Sequence, residues 1–194
     1  MANKMTVALT LEQYTEIIKT MRNGGAGFRS NDRIAAALIL EANLGIRISD
    51  ILALTPKSII KDGNRYRLNI TEIKTRKKRP FTVPEEVYDF IKKYCERYKI
   101  APDERLFSFT ERNVQNYLAK VVDYLGYENI GTHSFRKFFA TDILEKSNYN
   151  IVLVPHGVTA NDRVIHQNHP FAFYAFFYSS KFDFHTVKSC SLTG

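Results

Sequence analysis

A chain of 194 residues, 44% hydrophobic and 25% charged, has the size and balance of one globular domain, or one domain with a tail. That composition excludes wholesale disorder and a fibrous repeat. The longest apolar runs, Phe171 to Tyr178 and Ile34 to Leu40, span eight and seven residues, against the roughly 20 needed to cross a bilayer. Met1 to Thr10 lacks the basic-then-apolar pattern of a secretory signal, and two cysteines, Cys95 and Cys190, make neither a disulfide framework nor a four-thiolate zinc site. A reducing cytoplasm is the expected location. Lys and Arg total 28 against 20 Asp and Glu, a net charge of +8. Between Lys61 and Arg79 lie eight positive and two negative residues, so three quarters of the excess sits in a tenth of the chain. Charge clustered in this way is the footprint of a polyanion binder, with nucleic acid first and an anionic membrane second.

The predicted elements follow in chain order. Thr10 opens a capping box with Gln13, and Leu11, Tyr14, Ile17, Ile18 and Met21 recur at helical spacing until Asn23-Gly24-Gly25. Ser30 or Asn31 caps a second helix that ends near Gly45. Ser49 is expected to cap a short third helix, Asp50 to Leu54, halted by Pro56. The period then changes: Ser58 to Ile60, Tyr66 to Ile70 and Pro80 to Val83 read as strands of a small antiparallel sheet. Asp62-Gly63-Asn64 forms one turn and the basic cluster the other. Helical spacing returns after Pro84, with Val87, Phe90, Ile91 and Tyr94 inward. Thr110 caps a helix carrying Val114, Leu118, Val121, Val122 and Leu125, and Thr132 is expected to cap another with Phe135, Phe139, Ile143 and Leu144 facing the core.

The fold class read from this pattern is α+β, mainly helical, with one small antiparallel sheet. The helical spacing fades from Pro155. Between Phe171 and Phe184 eight of fourteen residues are aromatic, and no charged residue lies between Arg163 and Lys181. Such a segment calls for burial against its own domain or a neighbouring subunit. The chain therefore divides into a core, 1–154, and an atypical aromatic-rich segment, 155–194.

Four local patterns carry chemistry. Gly45-Ile46-Arg47-Ile48-Ser49-Asp50 places an arginine at a helix-to-helix turn, with an acid three positions on. Ile73-Lys74-Thr75 opens the basic hairpin tip, and Thr132-His133-Ser134-Phe135-Arg136 places His133 and Arg136 on one face of a helix start, where the positive helix end suits a phosphate. The fourth pattern is the tyrosine-rich tail. Two arginines, a lysine, a histidine and a tyrosine suit metal-free phosphodiester exchange. The arginines hold the non-bridging oxygens, the histidine handles protons at the nucleophile, the lysine protonates the leaving 5′ oxygen, and the tyrosine conserves the bond as a phosphotyrosine.

These boxes, in this order and with a basic hairpin lysine between them, resemble the catalytic domain of the tyrosine recombinase, or phage-type integrase, family from about Leu9 to Leu153. The resemblance implies a mainly helical catalytic domain with a small antiparallel sheet, no cofactor and no metal. It implies Arg47, Lys74, His133 and Arg136 as catalytic residues, with Asp50 as the structural acidic neighbour of Arg47. Arg76, Lys77, Lys78 and Arg79 are read as sequence-independent phosphate contacts. The implied partner is double-stranded DNA, bound by two protomers per site and four per synapse, with no role for a membrane.

The tail departs from the family. His169 and Tyr178 have the nine-residue separation of a third box and its nucleophile, with His166 and Tyr174 in reserve. Yet the gap from Arg136 to His169 is 33 residues, about ten more than the family pattern, and Gln167-Asn168-His169-Pro170-Phe171 replaces the usual Leu-Gly-His-Ser-Ser-like box. Either the tail has diverged around a loop insertion or the reading frame changes after Val154. The catalytic pattern also starts within ten residues of Met1, as in an excised domain or a single-domain recombinase. The expected function is site-specific cleavage and rejoining of duplex DNA through a 3′-phosphotyrosine. The alternatives are a catalytically impaired DNA-binding protein of this fold and DNA relaxation of the type IB topoisomerase kind. No carboxylate cluster suggests a two-metal nuclease, and the tail histidines lack an obvious further ligand for a metal.

Overall fold

The computed structural model describes residues 6–146. Their order is α1 (Leu11–Asn23), α2 (Asp32–Leu44), α3 (Ile48–Leu52), a 3₁₀ turn (Pro56–Ser58), β1 (Ile59–Asp62), β2 (Arg65–Thr71), β3 (Lys78–Val83), α4 (Glu85–Tyr98), α5 (Glu111–Tyr124) and α6 (Thr132–Lys146). The α+β, mainly helical reading holds.

Sequence chemistry sets most element ends. The Thr10 hydroxyl accepts from the Gln13 N–H while the Gln13 side chain accepts from the Thr10 N–H, closing the capping box. Asn31, rather than Ser30, caps α2, its Oδ1 accepting from the Ile34 N–H at 3.0 Å. Thr110 and Asn113 form a second capping box at α5. Tyr14, Ile17, Ile18 and Met21 are fully buried on one face of α1. By contrast α2 is buried on nearly every side, from Ile34 to Leu44, which makes it the central helix. Its most extensive helix contact is with α6, and α1 and α3 also pack on it. At the other end of α2, Asp32 receives Arg22 at 3.0 Å, Arg97 at 3.1 Å and the Tyr98 hydroxyl at 3.1 Å, tying α1 and α4 to α2.

The sheet is antiparallel in the order β1-β2-β3, with Asp62 opposite Arg65 and Thr71 opposite Lys78. Gly63, at φ +61°, turns the first hairpin. Only Leu68 of β2 is fully buried, so the sheet is a thin layer whose second hairpin carries the basic cluster outward.

Two helix starts differ from the sequence reading. The short α3 begins at Ile48 with Arg47 at its cap position, not at Asp50 after Ser49. The Arg47 carbonyl accepts from the Asp50 and Ile51 N–H groups at 2.9 and 3.0 Å, so backbone bonds replace a side-chain cap. Thr132 is the first residue of α6 rather than its cap. Gly131 precedes it, its N–H donating to Ser134 Oγ at 3.1 Å while the Ser134 N–H donates to the Gly131 carbonyl at 2.9 Å. On α6 the sequence reading also missed Phe138, which is buried and stacks on Tyr14 with ring centres 5.0 Å apart.

α2 ends at Gly45 in the left-handed conformation, φ +63°, its N–H bonded to the Glu41 carbonyl at 3.0 Å. A Cβ on Gly45 would stand 2.1 Å from Phe139 Cδ1, inside the α6 ring that covers this turn. Gly63→Ala meets nothing within 4 Å and carries only the backbone cost. We expect Gly45→Ala to lower the free energy of unfolding by about 2–4 kcal/mol and Gly63→Ala by about 1–2 kcal/mol, read by urea denaturation of the full chain. Equal losses at the two positions would contradict the close approach of α6.

Candidate active site

The site grows from the turn between α2 and α3. Gly45 stops α2, Ile46 is buried, and Arg47 leaves the turn at the edge of the core, its side chain 22% exposed. Arg47 Nη1 pairs with Glu72 Oε2 at 3.1 Å, and the Glu72 side chain is only 2% exposed. Three residues after Arg47, buried Asp50 accepts the Ile73 N–H on Oδ1 at 2.9 Å. The Arg47-Ile48-Ser49-Asp50 segment therefore grips two successive residues, Glu72 and Ile73, at the root of the second hairpin. Asp50 meets the hairpin backbone at Ile73, next to the residue that pairs with Arg47.

Lys74 follows immediately, exposed, in a turn closed by Glu72 N–H to Lys77 O at 3.0 Å and Arg76 N–H to Glu72 O at 2.9 Å. Arg76 adopts φ +58° to complete it. The Thr75 hydroxyl donates to the Glu72 carboxylate. Of the three nearby lysines, Lys74 is the one next to the residue fixed on Asp50. Lys77 is also exposed, and Lys78 begins β3, which Arg79 continues.

The third contribution comes from α6. Arg136 lies one turn into the helix, and its Nε donates to the Gly45 carbonyl at 2.8 Å. That bond brings Arg136 to the turn that bears Arg47 two residues later. His133, one turn before Arg136, is exposed at the helix start. The backbone partial charge of this helix end adds to the positive potential of the arginines. Arg47 and Arg136 thus both belong to the α2–α3 turn, one by sequence and one by its bond to Gly45, while Lys74 stands on the second hairpin rooted there and His133 at the start of α6. His169, Tyr178, His166 and Tyr174 lie outside the described residues.

Two carboxylates escaped the sequence reading. Glu72 was counted only as an opposing charge in the basic cluster, because its pairing with Arg47 spans 25 positions in sequence. Glu41 sits inside the apolar pattern of α2 and is 1% exposed. It faces the start of α3 at Ile48 and lies within electrostatic reach of the Arg136 guanidinium. Burial pushes its carboxyl well above the ordinary value of 4.5, against the opposing pull of the Ile48 N–H and Arg136, with Glu111 adding to the rise. A charged residue in an apolar helical stripe was the available signal.

Comparison with known proteins now decides the family. A family model described as the phage integrase family matches residues 8–154. The chain belongs to the phage integrase family. A probable integrase/recombinase of Bacillus subtilis (strain 168), YoeC, is 31% identical over 144 residues, covering 71% of this chain and 74% of that protein. Among solved structures, the XerH site-specific recombinase bound to its difH substrate superposes with a TM-score of 0.60 at 17% identity, over 84% of this chain and 49% of XerH. The lambda integrase catalytic core gives a TM-score of 0.56 at 17% identity, over 74% of this chain and 90% of that core. A lambda integrase dimer bound to a COC′ core site gives 0.59 at 16% identity, over 88% and 52%. The phage-integrase fold is thus shared, while the chain spans only about half the length of XerH. No helix among the described residues is long and apolar enough to cross a membrane.

The raised Glu41 carboxyl has a consequence for stability. A folded-state pKa above the unfolded value means that the contribution of the neutral carboxyl is complete below about pH 4.5 and is lost as pH rises through the folded pKa. Glu41→Gln, which cannot ionise, is therefore expected to gain on the natural chain by up to about 1.4 kcal/mol per pH unit across that interval. Parallel unfolding curves from pH 4.5 to 8 check this; a difference that stays flat with pH would refute it.

Proposed function

We propose that this phage integrase family member is a site-specific DNA recombinase that cleaves and rejoins duplex DNA through a 3′-phosphotyrosine, without metal or nucleotide. The observation that carries the proposal is the Arg136 Nε bond to Gly45 O, which draws the α6 arginine to the turn bearing Arg47. Two guanidinium groups reaching one backbone phosphate would neutralise its non-bridging oxygens and stabilise the charge that builds on pentacoordinate phosphorus.

The reaction follows from the residues. The tyrosine hydroxyl oxygen bonds to phosphorus and its proton passes to His133. The bond from phosphorus to the 5′ oxygen breaks, and that oxygen takes a proton from Lys74. Reversal with another strand's 5′ hydroxyl rejoins the DNA with no input of energy. Tyr178 is the proposed nucleophile, with His169, nine residues earlier in sequence, as the third-box histidine. Arg76, Lys77, Lys78 and Arg79 track the phosphate backbone. Two protomers act at a site and four in a synapse, and the reaction takes place in the cytoplasm.

A duplex nicked beside the scissile phosphate traps the covalent intermediate. The natural chain is expected to form a protein–DNA adduct with EDTA present. Tyr178→Phe should form none, and Arg47→Ala and Arg136→Ala should form it at least 10²-fold more slowly. Binding without an adduct at any tyrosine selects the DNA-binding reading instead. An adduct that requires magnesium refutes the mechanism.

Affinity should fall with salt because phosphate contacts dominate it. Four contacts from the hairpin give a log–log slope of about −3.6, or a loss of about 10²-fold between 50 and 200 mM salt. Replacing all four basics by alanine should remove most of that slope in a fluorescence-anisotropy titration; an unchanged slope would place the phosphate contacts elsewhere.

A further inference from the structure

We propose that Glu72 is a positioning residue: its buried carboxylate fixes the turn that bears Lys74 against Arg47, so that the lysine ammonium meets the leaving oxygen of a phosphate held by the arginine. The inference rests on the strand-exchange reading above and adds to it a residue that neither signature box contains.

A lysine is a point charge on a flexible four-carbon stem. Its side chain cannot find the leaving oxygen unless the backbone beneath it is fixed. Here that backbone is a tight turn on an exposed hairpin, a setting that is ordinarily loose. Glu72 is joined to its surroundings through both its side chain and its backbone. Its carboxylate pairs with Arg47 Nη1 at 3.1 Å and accepts the Thr75 hydroxyl, one residue beyond Lys74. Its N–H donates to the Lys77 carbonyl at 3.0 Å, and its carbonyl accepts from the Arg76 N–H at 2.9 Å. Lys74 is thus flanked by the Asp50-bound Ile73 on one side and the Glu72-bound Thr75 on the other.

Burying a carboxylate to 2% exposure is costly unless charged and hydrogen-bonding partners meet it. Arg47 and Thr75 are such partners, one from each half of the site. The pairing leaves a guanidinium group in place for phosphate while holding the hairpin to it. A shift of about 1 Å in a catalytic group can cost about 10²-fold in rate, so this link matters more for chemistry than for overall stability.

The test separates proton donation from phosphate binding. Nicked duplexes are prepared with either an ordinary 5′-bridging oxygen or a 5′-bridging sulfur, which leaves as a thiolate and needs no proton from Lys74. Glu72→Ala is expected to lose about 10–100-fold in adduct formation on the oxygen substrate and to recover to within about threefold of the natural chain on the sulfur substrate. Lys74→Ala should behave in the same way, and Arg47→Ala should stay slow on both. Glu72→Gln, which retains an acceptor for Thr75, should fall between Glu72→Ala and the natural chain. Equal losses of Glu72→Ala on both substrates, or none on either, overturn the proposal. Faster cleavage of both substrates by Glu72→Gln also overturns it and marks Glu72 as a competitor with phosphate for Arg47.

Amide hydrogen exchange on the DNA-free full chain reads the anchorage without catalysis. In Glu72→Gln, a protein that keeps the turn backbone but loses the ion pair, exchange at Arg76 and Lys77 should rise at least tenfold while α4 stays unchanged. Unchanged exchange overturns the proposal whether or not the chain cleaves. A natural chain that forms no adduct but shows this exchange pattern refutes strand exchange and leaves the Glu72 anchorage standing.

Discussion

The bond from Arg136 Nε to the Gly45 carbonyl is the constraint on which the candidate site depends. It is possible because two conditions meet at one residue. Gly45 reverses the chain at positive φ to end the central helix, and its missing side chain lets the Phe139 ring lie over the turn. Any L side chain at this position would face both the backbone penalty and the ring. With α6 drawn close, an arginine one turn before Phe139 reaches a carbonyl two residues from Arg47. Local backbone geometry thereby decides how an arginine of α6 reaches a turn 91 residues earlier in sequence.

Electrostatics explains why such a concentration of cations folds at all. Two buried carboxylates stand behind the positive groups: Asp50 at the hairpin root and Glu72 against Arg47. Each answers a guanidinium or a backbone N–H on its inner side. The outward-facing charges of the hairpin have no such backing within the Lys74 to Lys78 stretch, where every residue is exposed. The inner layer orders the site and the outer layer presents a positive surface, which suits an extended polyanion.

The chain also illustrates how an exposed loop acquires geometric definition. Leu68 of β2 and Val83 of β3 are buried, yet the hairpin tip from Ile73 to Lys78 is exposed throughout and takes no hold from that packing. Polar contacts to the α2–α3 turn take over that task. Because those contacts come from the segment containing Arg47, any displacement of the hairpin is a displacement relative to that arginine. On the strand-exchange reading, such a design couples phosphate holding to proton delivery mechanically, through one turn.

Hydrophobic spacing, capping boxes and turn residues determined the order of elements, the antiparallel sheet with its basic hairpin, and most of the buried faces. All of these are local properties of a few neighbouring residues. The patterns that hold Arg47, Lys74, His133 and Arg136 are likewise short and local, and the roles proposed for these residues rest on them. Helix starts were harder to read where no side chain at the cap position itself bonded the first N–H groups: at Ile48 the Arg47 carbonyl accepts them, and at Thr132 the Gly131 carbonyl and the Ser134 hydroxyl close the turn. Phe138 was missed because α6 is flanked by partners on more than one side, so a single stripe did not describe it. Tertiary structure alone decided that Glu72 pairs with Arg47, that Glu41 lies near Arg136, and that Gly45 accepts from Arg136. These contacts join residues separated by 25, 95 and 91 positions. Their existence depends on how helices cross and where a hairpin lands, and no periodicity in the sequence encodes that.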